Sequence, residues 1–129
     1  MRKRINLDYR NSFPVIFITA IQLYEQLLSA QVDGRLAKLR RQLIKAKLLI
    51  IDDLGMGGID VRIGPMLLDI IDKQSQNGSL LITSQFPVDK WYDFFNDPTV
   101  AGAILDRIVH RAHPIELKGD SMRKLSKAS

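Results

Sequence analysis

Leu48-Leu49-Ile50-Ile51-Asp52-Asp53 carries four apolar residues straight into two adjacent carboxylates. A short apolar run of this kind fits a buried strand, and this one delivers oxygen ligands at its carboxyl end. Hard cations such as Mg²⁺ prefer oxygen ligands and keep part of their water. Neighbouring side chains on a strand point opposite ways. One carboxylate can therefore hold the metal while the other orients an attacking water. Asp52 is the metal-side candidate and Asp53 the water-side candidate. In a nucleotide-hydrolysing protein this pattern is the Walker B segment. Its usual companion, Gly-x-x-x-x-Gly-Lys-[Ser/Thr], does not occur in the sequence. Gly58 and Gly64 come nearest to its spacing, but Pro65 follows them where Lys is needed. The same six residues also fit a strand that ends in a solvated Asp-Asp turn.

Other residues offer supporting chemistry, each with a plainer alternative. Thr83 and Ser84, with Gln85, close a second apolar run and can hydrogen-bond a terminal phosphate or position water; they equally fit polar capping of a strand end. Arg107 lies off the Ile104/Ile108 stripe. On spacing alone it is an ordinary surface arginine, but an exposed one can reach into a neighbouring subunit and neutralise phosphoryl charge. Residues Arg35–Lys45 hold Arg35, Lys38, Arg40, Arg41 and Lys45 around a Leu36/Leu39/Leu43 stripe. That is either a phosphate-contacting helix or a solvated one. His110 and His113 form no metal-ligand pattern with nearby carboxylates and read as structural. Phe86, Trp91, Tyr92, Phe94 and Phe95 read as local core rather than a stacking platform.

The elements that must position these groups alternate. Phe13–Ile18 is a β-branched apolar run. Thr19-x-x-Gln22 has capping-box form and opens a helix through Ile21, Tyr24, Leu27 and Leu28, with a break near Gly34. The helix Arg35–Lys45 follows, then the Leu48–Ile51 strand and a glycine-bearing loop. Gly64-Pro65 starts a further helix that Asn77-Gly78 closes. Leu80–Thr83 is the next strand. Asp97-Pro98 caps a helix to about His110, and Ile115–Leu117 is a final short strand. Alternation of strands and helices implies a parallel sheet with right-handed crossovers. In such sheets ligands bind at the strands' carboxyl ends, where Asp52, Asp53, Thr83 and Ser84 all fall. A receiver domain also pairs aspartates after a strand, but the chain beyond Asp53 is too short for it.

With 129 residues the chain suits one domain. It is 46% hydrophobic and 26% charged, a globular balance. With no cysteine it has no disulfide framework and no Cys-based zinc site. No apolar run approaches the roughly 20 residues of a membrane span, and polar residues follow the basic Met1-Arg2-Lys3-Arg4 start, unlike a signal peptide. A cytoplasmic location is expected. The net charge of +5 favours anionic partners, nucleic acid first.

Taken together, several segments resemble the IstB-like ATP-binding proteins, transposition helpers related to DnaC-type helicase loaders. They are Phe17-Ile18-Thr19-Ala20, Asp33-Gly34-Arg35-Leu36, Leu48–Gly55, Leu81–Phe86 with Trp91, Asp97–His110 and Ile115–Arg123. The resemblance covers roughly residues 13–124, leaving 1–12 as an irregular segment and 125–129 as a polar tail. It implies an α/β fold, the three-layer AAA+ P-loop NTPase type with a parallel sheet, acting as a homo-oligomer with ATP, Mg²⁺, DNA and a transposase. It also implies roles. Asp52 resembles the Walker B metal residue, Asp53 the catalytic carboxylate and Thr83-Ser84 sensor 1. Arg107 resembles the arginine finger that serves a neighbour's ATP, and Arg123 a sensor 2 position.

The family's N-terminal region, first strand and Walker A loop have no counterpart in the sequence. In the strand order 5-1-4-3-2 that the resemblance implies, the missing strand lies between Leu80–Thr83 and Ile115–Leu117. With it goes the phosphate cradle. The expectation is a C-terminal part of an ATP-dependent transposition helper, truncated or mis-started, that binds ATP weakly or not at all alone. The alternative is a non-enzymatic interaction module or inactive remnant that contacts full-length homologues or DNA.

Overall fold

The computed structural model describes residues 6–8, 14–56, 58–95 and 97–111. The expected strand Ile115–Leu117, the site candidate Arg123 and His113 lie outside them, as does the side chain of His110.

Two strands and two helices lead to the acidic segment. Strand β1 (Asn6–Asp8) pairs antiparallel with β2 (Val15–Thr19). Sequence reading gave residues 1–12 no strand, since three polar-flanked residues carry no periodic signal. Helix α1 (Ala20–Asp33) starts as expected: Thr19 Oγ1 accepts from the Gln22 N–H and Gln22 Oε1 accepts from the Thr19 N–H, both at 3.2 Å. Gly34 ends it at φ 81°, a left-handed conformation that only glycine adopts without strain. Helix α2 (Leu36–Lys45) leads into β3 (Leu48–Asp52).

After β3 a loop runs to α3 (Ile63–Asn77), then β4 (Ser79–Ile82), a short 3₁₀ turn, the single-turn α4 (Trp91–Phe94) and α5 (Pro98–Arg111). Asp97 caps α5, its Oδ1 accepting from the Thr99 N–H at 2.9 Å and the Val100 N–H at 3.3 Å. The order across the sheet is β1-β2-β3-β4, with β2, β3 and β4 mutually parallel.

The sheet has two unlike faces. Register aligns Ile16 with Leu49 and Leu80, and Ile18 with Ile51 and Ile82. Ile16, Ile18, Leu49 and Ile51 are fully buried in one cluster with Leu23 and Leu27 of α1, Leu43 of α2, Leu67, Ile70 and Ile71 of α3, and Ile104 of α5. The opposite face carries Phe17, Ile50 and Leu81 in register. Phe17 is 41% exposed and Leu81 51%. Strand β4 has no neighbour on its outer side among the described residues. The buried polar side chain of Gln74 ties α3 to the sheet: its Nε2 donates to the Ala46 carbonyl at 3.1 Å and the Ser79 carbonyl at 2.7 Å.

Candidate functional site

Four candidate residues meet where β3 and β4 end. The Thr83 hydroxyl donates to Asp52 Oδ1 at 2.5 Å and accepts the Asp53 N–H at 2.9 Å. Ladder continuation holds Thr83 in place, its N–H donating to the Ile51 carbonyl at 3.0 Å and its carbonyl accepting the Leu54 N–H at 2.8 Å. Ser84 faces the loop instead. Its Oγ donates to the Leu54 carbonyl at 2.7 Å and accepts the Phe86 N–H at 3.1 Å. Thr83 therefore bridges the two aspartates, while Ser84 fastens the loop that follows them.

The chain turns sharply between the carboxylates. Asp53 sits at φ 60°, a region that L-residues other than Asn and Asp rarely enter. The turn falls directly after the last residue of β3, Asp52. Both aspartates are half-buried. The loop is backed by aromatic rings: a Cβ on Gly55 would lie 2.7 Å from Phe94 and 2.9 Å from Phe86. Trp91 and Phe95 are buried, and the Trp91 indole N–H donates to the Phe86 carbonyl at 3.1 Å. Much of the aromatic group is thus local core, as expected, although Phe86 and Tyr92 stay exposed. Farther along the loop, Arg62 hydrogen-bonds Asp60 and pulls its pKa down to about 2.

Arg107 stands apart from this cluster and differs from its expectation. Sequence reading left it an exposed surface arginine. In the structure its Nε donates to Asp72 Oδ1 of α3 at 3.2 Å, and its side chain is 34% exposed. Asp72 as its partner was not legible, because the α3–α5 contact is tertiary. On α2, Lys38, Arg41 and Lys45 are exposed, whereas Arg40 pairs with Asp69 of α3.

The donor set suits one part of a nucleotide site. Asp52 offers a hard carboxylate oxygen of the kind that Mg²⁺ prefers. Among the described residues no group of three or more His, Cys, Asp or Glu could cage a metal alone. No Gly-rich loop with Lys is present to grip a triphosphate. The residues fit the metal and water side of the site, not the phosphate-gripping side.

The chain is an α/β unit with a parallel core and with acidic and hydroxyl groups at its strand ends, and it shares the fold of DnaI. The crystal structure of DnaI superposes with a TM-score of 0.68 at 22% identity, over 84% of this chain and 60% of that one. Residues 6–129 match the model of the IstB-like ATP binding protein family, and the chain belongs to that family.

Its relatives carry matching descriptions. An insertion sequence ATP-binding protein of Sinorhizobium fredii, y4uH, is 41% identical over 116 residues, which is 90% of this chain and 47% of the relative. The ATP-binding protein of insertion sequence IS232 from Bacillus thuringiensis is 34% identical over 107 residues, 83% of this chain and 43% of the relative. The chain thus spans about half the length of the curated relatives it matches. No helix among the described residues is long and apolar enough to cross a membrane.

Proposed function

We propose that this chain supplies the Walker B and sensor half of the ATP site of an insertion-sequence ATPase. In the complete protein that ATPase acts in the cytoplasm as a homo-oligomer, with a transposase, on DNA. The observation that carries this reading is the Thr83 hydroxyl, which bridges the Asp52 carboxylate and the Asp53 N–H.

This reading gives the residues the following roles. Asp52 would hold Mg²⁺, which would supply charge neutralisation on the phosphates. Thr83 fixes the rotamer of Asp52 and is close enough to register a change there. Asp53, displaced from the strand line by its backbone, orients water. Ser84 supports these groups by holding the loop. Arg107 serves a neighbouring subunit's ATP as an arginine finger, and Arg123 is assigned to the nucleotide by resemblance. The exposed cations of α2 make sequence-independent contacts to DNA phosphates.

Without the Lys-bearing loop, affinity for the triphosphate is lost. Titration of the purified 129-residue chain with ATP and Mg²⁺ is expected to give weak binding or none. Micromolar, Mg²⁺-dependent binding would overturn that expectation.

A second reading draws on the exposed Phe17 and Leu81 and on the edge of β4 that is unpaired among the described residues: a non-enzymatic module that contacts full-length homologues. Pull-down of an intact relative by the chain, lost with Leu81→Lys, favours it. No capture counts against it.

A further inference from the structure

Two pins hold Arg107. On α3, Asp72 Oδ1 accepts from its Nε at 3.2 Å. On its own helix, the Ala103 carbonyl accepts from Nη1 at the longer distance of 3.5 Å. The two acceptors come from different elements and grip different nitrogens, so together they restrict the plane of the guanidinium as well as its position. The other terminal nitrogen, Nη2, has no partner among the described residues. Side-chain exposure is 34% for Arg107 and 26% for Asp72, so neither is a freely waving surface group.

The helices that carry the pair are themselves fixed. Ile70 and Ile71 of α3 and Ile104 and Ile108 of α5 lie in the buried cluster. Helix α3 also begins directly after the loop that leaves Asp53. An ion pair this exposed contributes little to stability. Its larger consequence is geometric, because a planar guanidinium recognises phosphate only when its N–H edge is correctly aimed.

We propose that Asp72 is a positioning residue. It orients the Arg107 guanidinium by its Nε so that the Nη2 edge is presented to an anionic phosphoryl group on a neighbouring subunit. The inference rests on the proposed trans-acting role of Arg107. In this role Asp72 touches no nucleotide and acts on it through Arg107. Its carboxylate also lowers the net field of the pair, so the benefit lies in aim rather than in added positive charge.

The experiment mixes the intact Sinorhizobium fredii relative with increasing amounts of the 129-residue chain and follows ATP turnover. Maximal stimulation and half-saturating concentration are read separately. The unaltered chain is expected to raise turnover, and Arg107→Ala to abolish the rise. Asp72→Ala should cut the maximal rise by about 10-fold or more, because small misplacements of a catalytic group are costly. The half-saturating concentration should stay within about twofold, as expected when a transition-state interaction alone is lost. Asp72→Asn still offers an oxygen to Nε and should retain most of the rise.

Asp72→Glu keeps the charge and the α3–α5 tie but extends the carboxylate by one methylene. It also guards against a misfolded alanine variant, and it should lower the maximal rise without lowering the melting temperature. A merely structural tie would tolerate Glu. Full stimulation by Asp72→Glu, with Arg107→Ala inactive, would overturn the positioning role alone, whatever Asp72→Ala does. If the chain gives no stimulation, or Arg107→Ala matches it, the trans-acting reading of Arg107 fails and takes this one with it.

Discussion

Thr83 carries more of the site than its place in the sequence suggests. Its hydroxyl serves two partners, the Asp52 carboxylate and the Asp53 N–H. Thr83→Ala removes both bonds and is expected to cost about 1–3 kcal/mol in urea denaturation, while Thr83→Ser should recover most of that loss. Asp53 answers to its backbone. At φ 60° a β-branched side chain crowds the carbonyl. Asp53→Val is therefore expected to cost about 1–2 kcal/mol by the same measurement, and Asp53→Asn close to nothing. Asp52 and Asp53 were visible as a pair because apolar residues abut them. The turn between them was not visible, because its backbone is fastened to Thr83, thirty residues further along the chain.

The helices follow local rules closely, and their attachments do not. Thr19 and Gln22 form the capping box that their spacing announced, so Thr19→Ala should lower stability by about 1 kcal/mol with the sheet intact by circular dichroism. Helix α2, by contrast, is joined to α3 through Arg40 and Asp69, a pair with no sequence signature. Hydrogen bonding from Arg40, helped by Lys73, draws the Asp69 pKa down to about 2. An unfolded aspartate titrates near 3.9. The stabilisation is thus complete above about pH 4 and is lost as pH falls through about 2. Melting temperature should drop across that window, and Asp69→Asn should flatten the drop. A close approach joins α3 to the sheet as well. A Cβ at Gly78 would lie 2.7 Å from the carbonyl oxygens of both Ala46 and Lys47. Sequence marked Gly78 as a helix stop, whereas packing makes its lack of a side chain necessary.

At the scale of the molecule, one sheet face is covered by helices and the other is open among the described residues. The covered face joins helices from across the sequence into one core. The open face presents Phe17 and Leu81, and β4 leaves a strand edge unpaired among the described residues. An apolar edge of this kind invites self-association. The chain is expected to associate with rising concentration in analytical ultracentrifugation. Leu81→Lys and Phe17→Lys together should reduce association without lowering the melting temperature. No loss of association would mean that another surface drives it.

Sequence by itself determined the strands' apolar runs, the helix starts at Thr19 and Asp97, the stop at Gly34, and the acidic and hydroxyl groups at the carboxyl ends of β3 and β4. These depend on residue period and on capping chemistry, which act within a few residues. Tertiary structure alone decided that Thr83 bridges the aspartates, that Arg107 is paired with Asp72, that Asn6–Asp8 adds an antiparallel strand, and that Phe17 and Leu81 stay exposed on one face of the sheet. Those outcomes depend on contacts between residues far apart in the chain, where no local spacing specifies the partner.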